Sequence, residues 1–229
     1  MIYIASFFLM VYIYGMTKDE RREREKGLKK EMILDTAEKL IFSKGLENIN
    51  FNDIADASGY TRRSIYLYFK DRDDVFFHIV FRGQKLLLKY LAAAEEAHLE
   101  QGNMVDPFCG VIFNYAEEHP EYFELILLYE LRKHDYSIKY SDTDNIKAYC
   151  QNTSVDYGEI VTRAVGRDLD AGRLKSVLSA GQLMLVFWGQ IFGFMQIIIQ
   201  RSEDFGSVYG IERQDILHEF KEIIRRIFV

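Results

Sequence analysis

The sequence predicts an all-α protein in which an N-terminal three-helix domain precedes a larger helical domain. Apolar residues recur along the 229-residue chain at spacings of three and four, the period of an amphipathic helix. Prolines number only two, and glycines separate the successive helical patterns. With 48% hydrophobic residues, the chain is long and apolar enough to bury a core in each of two domains.

The first predicted helix runs from Lys18 to Lys44 and ends at Gly45, a residue type that commonly follows a helix. A second, short helix is predicted over 51–58. Asn50 occupies its N-cap position, and Asp53 follows three residues later, as in a capping box. Apolar positions of the first helix form one stripe: Ile33, Leu34, Ala37, Leu40 and Ile41.

Gly59 breaks the second helix, because glycine adopts positive φ without a Cβ penalty. Thr61 suits the N-cap of a third helix that continues through Phe69, and Asp71 suits the cap of a fourth that reaches Glu100. Five further helices are predicted, at 106–118, 120–133, 146–171 with an internal break, 180–202 and 211–228, with a loop at 134–145. The predicted domains are therefore 18–75 and 76–229.

The net charge of −6 does not exclude a nucleic-acid partner, because the charge is unevenly distributed. Residues 16–75 carry 13 basic and 13 acidic side chains, whereas residues 76–229 carry 16 and 22. Cys109 and Cys150 form no CxxC pair, and the histidines show no metal-ligand spacing. We therefore expect a reduced, cytoplasmic protein that uses no metal and no cofactor.

Two apolar segments raise the question of a membrane. The opening MIYIASFFLMVYIYG is shorter than a span of about 20 residues and lacks the basic start of a signal peptide. We expect residues 1–17 to lie outside the fold, with translation starting at Met16; a short membrane anchor is the alternative. Within residues 180–200, Gln182, Gln190, Gln196 and three glycines favour a buried soluble interface over a membrane span.

The second and third helices have the pattern of a helix-turn-helix. Ala55 is small enough for a close helix crossing, and Ile65 fills the space between the helices. The outer face of the third helix presents Arg62 and Tyr66. Arginine bonds guanine bidentately in the major groove, whereas tyrosine and lysine suit phosphates. A solvated charged helix with half-buried tyrosines is the alternative interpretation.

The stretch ILDTAEKLIFSKGLENINFNDIADASGYTRRSIYLYFKDRDDVF resembles the N-terminal DNA-binding domain of the TetR family of transcriptional regulators. The resemblance implies a homodimer on an inverted-repeat operator, and a variable C-terminal domain in which a small ligand binds and releases DNA. Thr61 matches the family's cap of the recognition helix. Tyr66 matches a tyrosine that touches the DNA backbone, and Lys70 matches a phosphate-binding lysine.

Two positions depart from the family pattern. Arg63 stands where a small residue is common, so base contacts differ, and Leu67 replaces a frequent backbone-contacting histidine, so one phosphate contact is lost. The basic side chains of residues 18–30 either reach a minor groove or pair with the interleaved glutamates, and we favour pairing. The predicted DNA-binding residues are Asn50, Thr61, Arg62, Arg63, Tyr66 and Lys70.

Aromatic residues concentrate in the C-terminal domain, where the family binds its ligand, and most of them are expected to be core. A pocket needs a few polar groups in an apolar wall, and the candidates are Tyr115, Tyr129, Trp188 and Gln190. Such a wall suits a lipophilic or aromatic effector, including one that carries a positive charge. The apolar faces of 180–202 and 211–228 predict a four-helix homodimer interface.

These features together predict a homodimeric repressor that a small lipophilic or aromatic ligand releases from its double-stranded DNA operator. An enzyme is disfavoured, because the sequence shows no nucleophile–base pattern and no phosphate-binding loop. A helical interaction scaffold that has lost DNA reading is the alternative. Activation in place of repression stays open, because it depends on where the operator lies.

Overall fold

The structure is a computed structural model that describes residues 16–132 and 145–228. The predicted all-α class is confirmed, since these described residues form ten α-helices and no strand. The chain divides into two compact units between Phe76 and Phe77. The expected N-terminal extension, up to residue 15, and the expected loop at 134–144 lie outside the described residues.

Helix α1 (Lys18–Lys44) opens the N-terminal unit with a capping box. The Thr17 side chain accepts from the backbone N–H of Glu20, whose carboxylate accepts from the Thr17 N–H at 2.7 Å. Gly45, with a φ of 82°, ends the helix and leads into a 3₁₀ helix (Leu46–Asn48). Only the C-terminal half of α1 is packed, through the buried residues Ile33, Leu34, Ala37 and Ile41.

Helices α2 (Phe51–Ser58) and α3 (Arg62–Ile65) lie on either side of the glycine turn. Gly59 adopts the left-handed conformation, with a φ of 73°. The side chain of Asn50 accepts from the backbone N–H groups of the next turn, and the Asp53 carboxylate accepts from the Asn50 N–H at 2.8 Å. The predicted turn and capping box are both confirmed.

The third helix is shorter than predicted. We expected it to continue through Phe69, but the α-helical conformation ends at Ile65. The N–H groups of Leu67 and Tyr68 bond carbonyl oxygens three residues earlier, at 3.1 and 3.0 Å, which is the tighter 3₁₀ pattern. This tightening keeps the backbone hydrogen-bonded while Ile65 and Phe69 both remain buried.

Helix α4 (Arg72–Gln101) includes residues of both units. Six helices follow it in the C-terminal unit: α5 (Val105–Glu118), α6 (Pro120–Arg132), α7 (Ile146–Asp170), α8 (Ala180–Gln200), α9 (Ser202–Tyr209) and α10 (Arg213–Phe228). The break expected inside α7 is absent, because Tyr157, Val161 and Val165 continue its buried face through the middle of the helix.

The predicted helix at 180–202 ends earlier, and a further helix follows it. Arg201 is the C-cap of α8, with a φ of −125°, and Ser202 begins α9. We did not predict α9, because its eight residues include a glycine and are too few to show a repeating helical period. Gly210, with a φ of 64°, ends α9 before α10 begins two residues later than expected.

Helix α8 is a core helix of the C-terminal unit. Its buried side contains Leu183, Phe187, Ile191, Met195 and Ile198 and packs against α5, α6 and α7. In the part of the chain that the structure describes, α8 is also the one helix whose length and mean hydropathy of 1.7 would suit a membrane span. A third of this apolar stretch is buried within the chain, and the expected soluble interface along α8 stays a prediction.

A buried histidine–aspartate pair joins three helix ends in this unit. The Asp168 carboxylate lies 2.8 Å from Nε2 of His98, near the end of α4. It also accepts from the Met104 N–H, at the start of α5, and from Nε of Arg173, at 3.0 and 2.9 Å. These bonds hold the ends of α4 and α7 to the start of α5, so the pair belongs to the scaffold.

Candidate functional site

The outward face of α3 is positioned by one cap and one buried side chain. Thr61 Oγ1 accepts from the Ser64 N–H at 3.2 Å and lies 2.9 Å from the Ser64 hydroxyl. On the opposite side, Ile65 is fully buried. Because α3 has a single turn, these contacts determine which side chains face solvent.

Arg62 lies on the exposed side of α3 and is held by an aromatic ring. Its Nη2 donates to the Tyr66 hydroxyl at 3.3 Å, and its guanidinium carbon lies 5.6 Å from the centre of that ring. The Tyr66 ring in turn contacts Phe51 of α2, with centroids 4.8 Å apart. A guanidinium has five N–H donors, so most of those of Arg62 remain available for a base edge.

Two further cations extend this face. Arg63 and Lys70 are exposed, and their side chains form no hydrogen bond or ion pair with the residues that the structure describes. The backbone N–H of Lys70 donates to the Asp74 carboxylate at 2.9 Å, and Asp71 caps α4 through the Asp74 N–H at 2.8 Å. The Lys70 ammonium is therefore free to bind an anion while its backbone is fixed.

Asn50 and Thr61 have their acceptor oxygens committed to helix caps. Asn50 Oδ1 accepts from the N–H groups of Asn52 and Asp53, at 2.8 and 3.3 Å. A groove of about 350 Å³ adjoins the Asn50 cap, the exposed Arg62 and the Tyr66 ring. The Asn50 and Thr61 side chains therefore fix the starts of α2 and α3, and so position the exposed face that carries Arg62 and Tyr66.

Two of the four predicted ligand-binding residues share an aromatic chain in the C-terminal unit. Tyr115 contacts Phe123, Phe123 contacts Phe192, and Phe192 contacts Trp188, with centroids 6.2, 5.6 and 4.5 Å apart. Tyr115 is fully buried and its hydroxyl donates to the Gly83 carbonyl at 2.9 Å. Burial, helped by neighbouring tyrosines, raises the pKa of Tyr115 well above its ordinary value, so the hydroxyl stays protonated.

The other two candidates lie apart from this chain. Tyr129 is fully buried and packs edge-to-face on Phe77, with centroids 6.0 Å apart. Gln190 is half-buried on α8, and no hydrogen bond or ring contact joins it to the other candidates in the described part of the chain. The structure therefore brings Tyr115 and Trp188 together and does not join Gln190 to them.

A buried amide in α4 was missed by the sequence analysis. Gln84 is fully buried, and its Nε2 donates to Ser154 Oγ at 3.2 Å, while Ser154 donates to Glu130 at 2.8 Å. The backbone carbonyl oxygen of Gln84 accepts a hydrogen bond from the Tyr157 hydroxyl at 2.7 Å. Its side-chain Oε1 has no hydrogen-bond partner among the described residues. A polar residue in an apolar stripe was the signal, since Val80, Leu87 and Leu91 flank Gln84 at helical spacing.

The fold and the site together define a class. The N-terminal unit has two short helices joined by a left-handed glycine, with an arginine and a tyrosine on the outward face, and a larger helical unit follows it. These are the features of a helix-turn-helix DNA-binding transcriptional regulator.

Sequence comparison gives the family. Residues 33–79 match the family described as "Bacterial regulatory proteins, tetR family". The AcrR HTH-type transcriptional regulator of Shigella flexneri is 38% identical over 63 residues, which are 28% of this chain and 27% of that protein. The match identifies residues 33–79 as a regulatory domain of the tetR type.

Solved structures share the fold over most of the chain. A tetR-family regulatory protein from Rhodococcus RHA1 has a TM-score of 0.60 at 15% identity, over 87% of this chain and 96% of that chain. SmeT, the repressor of the Stenotrophomonas maltophilia multidrug efflux pump SmeDEF, has a TM-score of 0.55 at 21% identity, over 76% of this chain and 80% of that chain. The sequence match covers only about a quarter of the Shigella regulator's own length.

Proposed function

We propose that this protein is a homodimeric repressor that binds an inverted-repeat operator and leaves it when a small lipophilic or aromatic ligand binds the C-terminal unit. The observation that carries the proposal is the outward face of α3, where Arg62 bonds the Tyr66 hydroxyl while Ile65 is buried on the opposite side. A regulator of bacterial transcription acts on the chromosome, so we assign it to the cytoplasm.

Each exposed side chain has a proposed role on DNA. Arg62 bonds a base edge in the major groove, where a bidentate arginine discriminates guanine. Tyr66 and Lys70 contact phosphates, and Arg63 contacts either a base or a phosphate, depending on the operator. Asn50 and Thr61 hold the two helices in register through their caps.

Exposed apolar faces on α8 and α10 support the homodimer. On α8, Leu185 and Ile197 are 66% and 52% exposed, and on α10 Ile223 and Ile227 are 53% and 48% exposed. Gly189 and Gly193 lie one turn apart on the same exposed side of α8, and a Cβ at either would meet nothing in this chain. Open space at two exposed glycines lets a partner helix approach closely, and the apolar residues around them supply the burial.

The interior of the C-terminal unit supports the ligand assignment. The chain of rings from Tyr115 to Trp188 supplies an apolar wall, and Oε1 of Gln84, which has no partner among the described residues, supplies a buried acceptor. Leaving such an atom unpaired costs roughly 1–3 kcal/mol, which a ligand N–H or O–H would recover. SmeT has this fold and forms a complex with triclosan, a chlorinated phenol.

Selection of bound sequences from random duplex DNA tests the DNA half of the proposal. The purified protein should enrich a palindrome whose half-sites lie about one helical turn apart, or a multiple of it, at a stated salt concentration. Tyr66→Phe should then weaken all sequences alike, since it alters a phosphate contact. If nothing is enriched, the helical interaction scaffold becomes the better description.

The single tryptophan provides a test of the ligand half. Titration with triclosan should change the emission of Trp188, and the same concentrations should release the protein from the selected operator. Binding with no change in DNA affinity would contradict release by the ligand, because a ligand shifts an equilibrium only by binding its two states differently.

A further inference from the structure

The first half of α1 has no packing role in its own unit. Within residues 18–32, hereafter the α1 extension, no side chain is buried and only Lys30 is half-buried. It nevertheless forms about four helical turns, roughly 22 Å, and begins with a complete capping box. An isolated helix of this length is marginal in water, so its cap and its continuity with the packed half of α1 keep it ordered.

One side of the α1 extension lies beside the residues that follow α3. Arg22, Lys26 and Lys29 line a groove of about 720 Å³ together with Leu67 and Tyr68. Leu67 is 73% exposed and cannot bond a phosphate. The cations of α1 and the end of the DNA-reading segment therefore share one surface, which we term the cationic groove.

The charges in this groove are only partly compensated. Lys26 forms an ion pair with Glu23 at 3.8 Å, and both side chains are highly exposed, at 59% and 72%. Arg22 and Lys29 form no hydrogen bond or ion pair within the described ranges, and Glu25 is the other carboxylate lining the groove. The expectation that these basic residues pair with the interleaved glutamates holds for Lys26 and does not hold for Arg22 and Lys29.

We propose that the α1 extension is a second DNA contact, in which Arg22 and Lys29 bind backbone phosphates beside the bases contacted by α3. Double-stranded DNA fits the site because it carries a negative charge about every 1.7 Å and its backbone runs continuously past any bound recognition helix. The contact adds affinity without sequence preference, and it supplies a phosphate contact at the edge of α3 where Leu67 makes none. The inference depends on the proposed DNA binding by α3.

The helix supplies its own matched control. Arg21 and Arg24 lie in the first two turns of the same helix but do not line the groove; Nε of Arg21 donates to the Met16 carbonyl at 3.2 Å, and Arg24 lies 3.9 Å from the Met16 sulfur. R22Q/K29Q and R21Q/R24Q each remove two positive charges and exchange residues of similar helix propensity. They differ in the side of the helix that loses charge, and R21Q/R24Q also removes the two contacts with Met16.

The experiment measures the affinity of full-length wild type and both double variants for one selected operator duplex at several salt concentrations. Because both protomers of the dimer carry the change and four phosphate contacts are lost, R22Q/K29Q should lower the slope of log K against log[salt] by about 3.6 and weaken binding on the order of 100- to 4000-fold at 0.1 M salt. R21Q/R24Q should stay within about twofold of wild type. Equal effects of the two double variants, or no effect of R22Q/K29Q, would overturn the proposal.

A variant expected to bind the operator more tightly gives an independent check of the α1 contact. E25Q removes a carboxylate from the cationic groove and should tighten binding several-fold, with a steeper salt dependence. Weaker or unchanged binding of E25Q would count against DNA in the groove. Failure of the wild type to bind any duplex is a different result, because it rejects the DNA-binding role of α3 and not the α1 contact alone.

Discussion

The two units use polar side chains in opposite ways. In the N-terminal unit, the groups assigned to function are exposed cations, and the neighbouring polar atoms are used up in helix caps. In the C-terminal unit, the group assigned to function is a fully buried amide whose Oε1 has no partner in the described part of the chain. An exposed site can lose one side chain without unfolding, whereas a buried site is part of the packing that supports it.

The largest expected difference between a buried and an exposed position lies within α3 and the turn after it, where the buried Ile65 and the exposed Leu67 are two residues apart. Ile65→Ala should lower the free energy of unfolding of the N-terminal unit by roughly 2–5 kcal/mol and abolish operator binding, because Ile65 is fully buried. Leu67→Ala, at an exposed position, should change it by less than about 0.5 kcal/mol. Denaturant unfolding followed by circular dichroism measures both, and similar values for the two variants would show that α3 is not anchored through Ile65.

The second prediction concerns the exposed glycines of α8. In an isolated chain, Gly189→Ala combined with Gly193→Ala should stabilise the helix by roughly 1 kcal/mol per site. If a partner helix packs there, the same change should weaken the dimer by roughly 1–3 kcal/mol, about 5- to 150-fold in the dissociation constant.

Sedimentation equilibrium separates these outcomes. Gly110→Ala is the control, because Gly110 lies inside α5 and a Cβ there also meets nothing. Gly110→Ala should leave dimerisation unchanged. A double glycine variant that dimerises as tightly as wild type would place the interface elsewhere.

The third prediction compares two glutamines of the C-terminal unit. Gln84→Leu removes the bond to Ser154 and the Oε1 that lacks a partner in the described ranges. Stability should therefore change by only about 1 kcal/mol while triclosan binding is lost. Gln190→Leu should leave triclosan binding intact. The emission of Trp188 reports both titrations, and the reverse pattern would restore Gln190 as the polar contact.

The smallest expected effect is a pH dependence that belongs to an ion pair between α4 and α7. A hydrogen bond from Arg163, opposed by burial and assisted by Arg167, holds the pKa of Glu95 below its usual range. Both arginines bond the Glu95 carboxylate at 3.0 Å and are themselves 49% and 38% exposed. Solvent screening should keep the contribution below about 1 kcal/mol.

Because the folded-state pKa of Glu95 is lowered, its stabilisation is present above about pH 4.3 and is lost as the pH falls through the lowered value. Glu95→Gln should therefore be less stable than wild type at pH 7, and the difference should shrink below pH 4. Glu96→Gln, at an exposed neighbour, is the control. A difference that grows towards low pH would contradict the sign.

The helix caps and the glycine turn of the N-terminal unit were predicted correctly because they depend on local rules. Asn50, Gly59 and Thr61 act within three residues of their partners, so caps and the turn follow from residue type and spacing. The end of α3 was predicted too late, because the competition between α and 3₁₀ hydrogen bonds depends on how Phe69 packs.

The C-terminal site depends on contacts that no local pattern contains. Gln84 is hydrogen-bonded to Ser154, which lies 70 residues away in the sequence, and Ser154 is hydrogen-bonded to Glu130, which lies 24 residues away. That Tyr115 binds a ligand stays a prediction, and the commitment of its hydroxyl to the Gly83 carbonyl depends on helix packing. Which buried polar atom lacks a partner is a property of the tertiary structure.

The central claim is that the outward face of α3 contacts bases through Arg62. The most direct measurement compares wild type and Arg62→Ala on the selected operator and on a scrambled duplex at the same salt concentration. We expect Arg62→Ala to weaken operator binding by roughly 1–3 kcal/mol while binding to the scrambled duplex hardly changes. Equal affinity of the variant and wild type for the operator would contradict the account.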